Sequence, residues 1–286
     1  MQPVPSILVF CEVDETVLDP HTYSVDAVGR RALERIARDR IPIVLCSSKT
    51  RAELEVIQQE LGISHPFICE SGAAVFVPQG YFGFTVPEAR DAAGYKMVEF
   101  GKPYAEVVAT LHRAAGRLGI EVLGFSDMSV EDVAADCHLP LLQARLAKLR
   151  EYSEPFRVVG AKPGATTRLF KALRGAGLEC TSRGRYYHAG AIRRDIGAQL
   201  LGRLYRCAFG ELLVVAFGDH GSAVPLLRQA DVPLIVQSGI TDETTHLLAR
   251  VPAARLSVAD SVGAWADVIL EIADAAQHRG ASASTI

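Results

Sequence analysis

The sequence predicts an α/β fold: a doubly wound, mostly parallel sheet with helices on both faces, interrupted by an inserted α+β unit. Three observations carry that expectation. Ile7, Leu8, Val9 and Phe10 form an unbroken apolar run followed by Glu12. A run that short and rich in branched and aromatic residues suits a strand buried on both faces. Strand and helix patterns then alternate as β-α-β-α-β, which implies parallel pairing with right-handed crossovers. That rhythm breaks at residue 83 and resumes at residue 186, so the expected core is 1–82 with 186–286 and the expected insertion is 83–185.

Each element has its own signal. Residues 24–40 carry apolar positions at helical spacing, with Ser24 as N-cap. IPIVLC, ending at Cys46, reads as a second buried strand, and RAELEVIQQELG as the helix after it. Phe67–Cys69 reads as a third strand, and AAVFVP as a fourth or as its hairpin partner. From Tyr81 the texture changes to short alternating segments with glycines, which suit antiparallel strands. PYAEVVATLHRAAGRLG is an amphipathic helix, SVEDVAADCHLPLLQARLAKLREY one or two more, and RVVG and LECTSRGRYYHAG read as strands. A helix at Asp195–Tyr205, a strand at Leu212–Asp219, a short helix at PLLRQA, a strand at PLIVQ and a last helix through VGAWADVILEIADAA complete the core. The small, polar QHRGASASTI is expected to fray.

Composition narrows the function classes. Apolar residues make up 49% of the 286, enough for a sizeable core. A net charge of −3 argues against a nucleic-acid partner. No apolar run reaches the roughly 18 residues of a membrane span, and no secretory signal is visible. The six cysteines form no CxxC pair, so they read as reduced, mostly buried thiols. The expected location is the cytoplasm, and the expected partner is a small molecule.

The chemistry concentrates at strand ends. Glu12 and Asp14 are two apart, so on an extended chain both carboxylates point the same way. Open α/β sheets bind ligands beyond the carboxyl ends of their strands. Ser47, Ser48, Lys49 and Thr50 stand between a strand and a helix, an arrangement suited to an anion, although a plain N-cap role for Ser47 is an equal reading.

Five stretches, CSSKTRAELE, HPFICESGAAVFVP, GFSDMSVEDVA, LAKLREYSEPF and RYYHAG, run through both core and insertion. With them the chain resembles the haloacid dehalogenase-like (HAD) superfamily, and most closely the mannosyl-3-phosphoglycerate phosphatases. The resemblance implies a HAD-like Rossmannoid core with an inserted α+β cap domain. It assigns Asp14 as acid/base, Thr16 as the motif threonine, Ser47 as a phosphate-binding hydroxyl and Asp219 as a metal-binding aspartate. It also places Lys148, Arg150, Glu154, Tyr187 and His188 in substrate-facing segments of the cap.

The departures fall on the catalytic positions. The nucleophile position is Glu12, the glycine after the second aspartate is Glu15, and the asparagine before Gly72 is Ser71. The lysine position is Ile196, and the Asn-Asp pair after Asp219 is Ser222 and Ala223. Arg193 or Arg194 could stand in for the lysine. Glutamate is longer than aspartate by a methylene, about 1 Å, a misplacement that can cost on the order of 10²-fold in rate. A metal held by Glu12, Asp14 and Asp219 is expected to be magnesium, bound weakly or not at all without ligand. The expected ligand is a small anionic or phosphorylated metabolite, touched by Thr16, Ser47, Ser48, Lys49, Lys148, Arg150, Glu154, His188 and Arg193. With Glu12 and Asp14 as the catalytic pair, the expected role is acid/base chemistry other than phosphate hydrolysis, or binding without catalysis. A working magnesium-dependent phosphomonoester hydrolase is the alternative.

Overall fold

A computed structural model describes residues 6–13, 25, 27–160, 163–190, 193–237, 241–258 and 264–283. The chain runs β1 (Ile7–Glu12), α1 (Ala27–Arg38), β2 (Ile43–Cys46), α2 (Arg51–Leu61), β3 (Phe67–Cys69), β4 (Ala74–Pro78), β5 (Arg90–Ala92) and β6 (Tyr95–Glu99). Then come α3 (Tyr104–Leu118), β7 (Glu121–Gly124), α4 (Val130–Cys137), α5 (Leu141–Ala147), β8 (Ser153–Val159), α6 (Ala165–Gly175), β9 (Glu179–Arg183) and β10 (Tyr186–Gly190). It ends with α7 (Arg194–Phe209), β11 (Leu213–Gly218), α8 (Val224–Leu227), β12 (Val232–Gln237), α9 (Asp242–Arg250), β13 (Arg255–Val258) and α10 (Ala264–Ala283).

The large sheet has the order β13-β12-β11-β1-β2-β3-β4-β6-β5. The six strands from β13 to β3 are parallel, and β4, β6 and β5 extend the edge antiparallel. Alternate residues of β1 feed two cores. Ile7, Val9 and Cys11 join one apolar cluster with α1 and α10, while Leu8 and Phe10 join a second with α7, α8 and α9. Burial on both faces is why the strand reads as a continuous apolar run. The order reverses at β1, with β2 on one side and β11 on the other, and the ends of these three strands open one crevice.

A second, antiparallel sheet, β7-β8-β10-β9, forms the cap. One core of the cap gathers Val107, Leu111, Phe156, Leu169 and Leu173, the other Phe125, Met128, Val133 and Ala144.

The expected insertion of 83–185 is corrected at both ends. β5 and β6 lie in the large sheet, because β4 offers β6 a full antiparallel ladder from Ala74–Glu99 to Pro78–Tyr95. β10 pairs with β8 and β9, so residues 186–190 sit in the cap sheet. Residues 277–283 of the tail expected to fray continue α10, which runs to Ala283. β7, α6, α9 and β13 are additions to the expected elements. β7 and β13 span four residues each, and α6 and α9 each carry two threonines, whose branching weakens the helical signal. Ser24 lies outside the described residues. All six cysteines are free; Cys11, Cys46 and Cys69 are buried, whereas Cys207 is exposed. Among the described residues no helix is long and apolar enough to cross a membrane.

Candidate functional site

Glu12 ends β1 with its side chain buried, and its partner is Arg194, the first residue of α7. The guanidinium Nη1 is ion-paired with Glu12 Oε1, and both side chains are 3% exposed. Ser222 Oγ lies 3.3 Å from the same oxygen, and Arg194 Nη2 lies 3.4 Å from Ser71 Oγ. The second oxygen of Glu12, Oε2, is buried and has no hydrogen-bond partner among the described residues. It faces Gly218, the residue before Asp219. Burial pushes the thiols of Cys11 and Cys46 well up, so neither is a thiolate nucleophile beside Glu12.

The turn after β3 sets this arrangement. Glu70, Ser71 and Gly72 have φ of 44°, 61° and 96°, three left-handed residues in succession. For the first two that conformation costs about 1–2 kcal/mol each. Tertiary bonds hold the turn: Ser71 N–H donates to Ser47 O at 2.8 Å, and Arg193 N–H to Ser71 O at 3.2 Å. The Glu70 carboxylate accepts from the backbone N–H of Glu151, Tyr152 and Ser153 at 2.8, 3.1 and 2.7 Å. Arg150 Nε stands 3.4 Å from Glu70 Oε2, and Arg150 Nη2 donates to Ser48 O at 2.9 Å. Core loop and cap are thus clamped by one buried carboxylate and one buried guanidinium.

The other expected site residues separate into distinct places. Ser47 is buried, and its Oγ accepts the Lys49 N–H at 3.1 Å. Lys49 Nζ stands 3.8 Å from Glu53, and Ser48 contributes its carbonyl to Arg150. Lys148 Nζ donates to the carbonyls of Phe125 and Met128, inside the cap. Glu154 is fully buried, taking Tyr104 OH at 2.6 Å on one oxygen and Ser126 N–H and Oγ–H on the other. Burial pushes its carboxyl up, partly offset by those bonds. The half-buried Tyr187 and His188 lie on β10, where His188 is opposite Pro155 and Thr181. Arg193 caps α7 and faces an open cleft, whereas its neighbour Arg194 turns inward. Asp14, Glu15 and Thr16 lie outside the described residues. Ser71 and Ser222, which the sequence marks only as departures from a motif, are the two hydroxyls that flank Arg194.

Magnesium asks for about six oxygens in octahedral geometry. Glu12 offers Oε2, and Asp219 is buried beside the end of β11. Ala223, where the resemblance expects a further acid, is packed so tightly that a β-carbon on Gly218 would lie 2.2 Å from its own. Arg194 already brings a positive charge to Glu12. Among the described residues no group of three His, Cys, Asp or Glu is placed to hold a metal. Asp14, the remaining expected ligand, lies outside the described residues, and no step below passes through a metal ion.

The fold is that of the haloacid dehalogenase-like superfamily. Residues 9–83 match the haloacid dehalogenase-like hydrolase family. A HAD-superfamily phosphatase from Bacteroides thetaiotaomicron superposes with a TM-score of 0.64 at 16% identity, over 96% of each chain. The glucosyl-3-phosphoglycerate/mannosyl-3-phosphoglycerate phosphatase of Methanococcoides burtonii is 38% identical over 80% of this chain and 84% of its own. That of Persephonella marina is 36% identical over the same shares. The chain belongs to this family of HAD phosphatases.

Proposed function

We propose that the crevice binds a phosphorylated glyceric acid carrying a sugar, of the glucosyl- or mannosyl-3-phosphoglycerate class, and hydrolyses it slowly. The observation that carries this reading is the buried pair of Glu12 and Arg194. In-line phosphoryl transfer depends on positioning and charge stabilisation. Glu12 stands where the resemblance puts the nucleophile, but one oxygen is committed to Arg194 and Ser222. The same guanidinium, flanked by Ser71 and Ser222, is a suitable counter-ion for a bound phosphate. Magnesium contributes little to binding in this reading, because the guanidinium supplies the positive charge. Acid/base work by Glu12 and Asp14 without a phosphoenzyme is compatible with the same binding mode.

One observation favours turnover. Glu12 Oε2 is the uncommitted oxygen of the pair. In that second reading Oε2 bonds to phosphorus as the bond to the glyceryl oxygen breaks, Asp14 donates the proton to the leaving alcohol, and water then hydrolyses the acyl phosphate.

The test is phosphate release from both glycosyl phosphoglycerates, with and without magnesium, alongside calorimetric binding. The expected outcome is saturable binding with turnover well below the ~1 s⁻¹ of ordinary enzymes. Turnover at that rate or faster, abolished by Glu12→Gln, establishes the second reading instead.

A further inference from the structure

A cleft of about 750 Å³ opens between cap and core beside Ser222. From the cap it is lined by Thr181 and Ser182, and from the core by Ser222 with two arginines, Arg193 and Arg250. Ser222 also touches Glu12, so it stands between the cleft and the buried pair. Arg193 is the N-cap of α7, and Arg250 ends α9. The carbonyl of Arg250 is held by Arg228 at 2.9 and 3.2 Å, and its Nη1 lies 3.7 Å from where a β-carbon of Gly221 would stand.

The charges in this cleft are unevenly satisfied. Glu243 accepts the Gly221 N–H at 2.9 Å and stands 4.0 Å from His220 Nε2. Glu179 pairs with Arg174 at 3.5 Å. Among the described residues, Arg193 and Arg250 have no carboxylate in ion-pair range. Two guanidinium groups facing one cleft, with hydroxyls on the opposite wall, match a carboxylate attached to a polyol.

We propose that Arg250, assisted by Arg193, is the carboxylate-recognition subsite of this crevice, and that Thr181 and Ser182 receive the hydroxyls of the attached sugar. The assignment rests on the reading that phosphate sits beside Arg194 and Ser222. It makes the protein selective for phosphorylated sugar acids over neutral-tailed phosphomonoesters of the same size.

The test compares 3-phosphoglycerate with glycerol 3-phosphate, which differ at one end by carboxylate against hydroxymethyl. Calorimetric Kd values are measured on the full chain and on Arg250→Gln, Arg250→Lys and Arg193→Gln, with near-native urea midpoints as the check on folding. Arg250→Gln is expected to weaken 3-phosphoglycerate about tenfold or more and glycerol 3-phosphate less than about twofold, with Arg250→Lys between. Arg193→Gln is expected to give a smaller loss of the same selectivity. Equal losses for both ligands, or none for either, overturn the assignment while leaving phosphate binding in place. If the unaltered chain binds neither ligand, the phosphate reading falls and the subsite falls with it.

Discussion

The backbone of Arg194 passes so close to Gly72 that a β-carbon on Gly72 would lie 2.3 Å from the Arg194 nitrogen. Gly72 also has φ of 96°, a conformation that side chains resist. This contact sets the start of α7 and delivers the Arg194 guanidinium to Glu12. Gly72→Ala should therefore push α7 outward and break the pair. A destabilisation of about 2–4 kcal/mol is expected. Urea unfolding followed by Trp265, the single tryptophan and a buried one, reads it directly. A loss within about 0.5 kcal/mol would mean that the turn absorbs the methyl group and that Gly72 does not position Arg194.

Glu70 is the corresponding device for the cap. Its carboxylate accepts three backbone N–H groups and the Ser153 hydroxyl, and faces Arg150. Glu70→Gln removes the charge and turns one acceptor into a donor, leaving Arg150 buried without its counter-ion. The expected cost is about 3–5 kcal/mol. Amide exchange at Glu151, Tyr152 and Ser153 should accelerate before the large sheet opens. Unchanged protection of those three amides would show that the cap is held by other contacts.

How much of this was legible in the sequence follows from distance along the chain. The unbroken run Ile7–Phe10 announces burial on both faces, because alternate residues serve two cores. Glu12 is legible as an acid at a strand end for the same reason. Its partner is not legible: Arg194 stands 182 positions away, and its neighbour Arg193 looks equivalent in sequence. The arginine that turns inward is the one whose backbone lies against Gly72, while Arg193 donates its N–H to Ser71 O. Glu154 lies in a polar stretch, and its burial depends on Tyr104 and Ser126, 50 and 28 positions away. Strand type at residues 90–99 was readable, but sheet membership depended on the ladder with β4.

Acid sensitivity has a separate origin. Burial holds the His65 imidazole down to about 4. A free imidazole titrates near ~6.5, so as pH falls the unfolded chain takes up its proton first. The folded state is favoured in full above ~6.5, and that advantage is lost as pH falls toward 4. A difference of ~2.5 units corresponds to about 3 kcal/mol. His65 Nδ1 is 2.6 Å from Tyr81 OH, a contact that glutamine can replace without titrating. His65→Gln should flatten stability against pH between 6.5 and 4 by about that amount. The same slope in both proteins would place the acid loss elsewhere.

The strongest test of the site is a double-mutant cycle on Glu12 and Arg194. Both side chains are 3% exposed, so removing either strands a buried charge or a buried polar group. Arg194→Met leaves the Glu12 carboxylate without its cation, and a loss of about 3–5 kcal/mol is expected. Glu12→Leu leaves the buried Arg194 guanidinium without its counter-ion, and a loss of similar size is expected. The double change Glu12→Leu with Arg194→Met replaces the pair by apolar volume and should recover most of the loss, since exchanging both partners of a buried pair is often close to neutral. The coupling energy separates this pair from two independent residues. Function should move the other way. The double variant is expected to fold well and to bind phosphate at least tenfold more weakly, because the cation for the phosphate is gone. Arg194→Lys keeps the charge but loses the fork that reaches both Ser71 and Ser222, so its phosphate affinity should fall between the two. If the double variant bound phosphate as tightly as the unaltered chain, Arg194 would be only a structural counter-ion of Glu12, and the phosphate would have to be held by Ser47, Lys49 or the segment around Asp14.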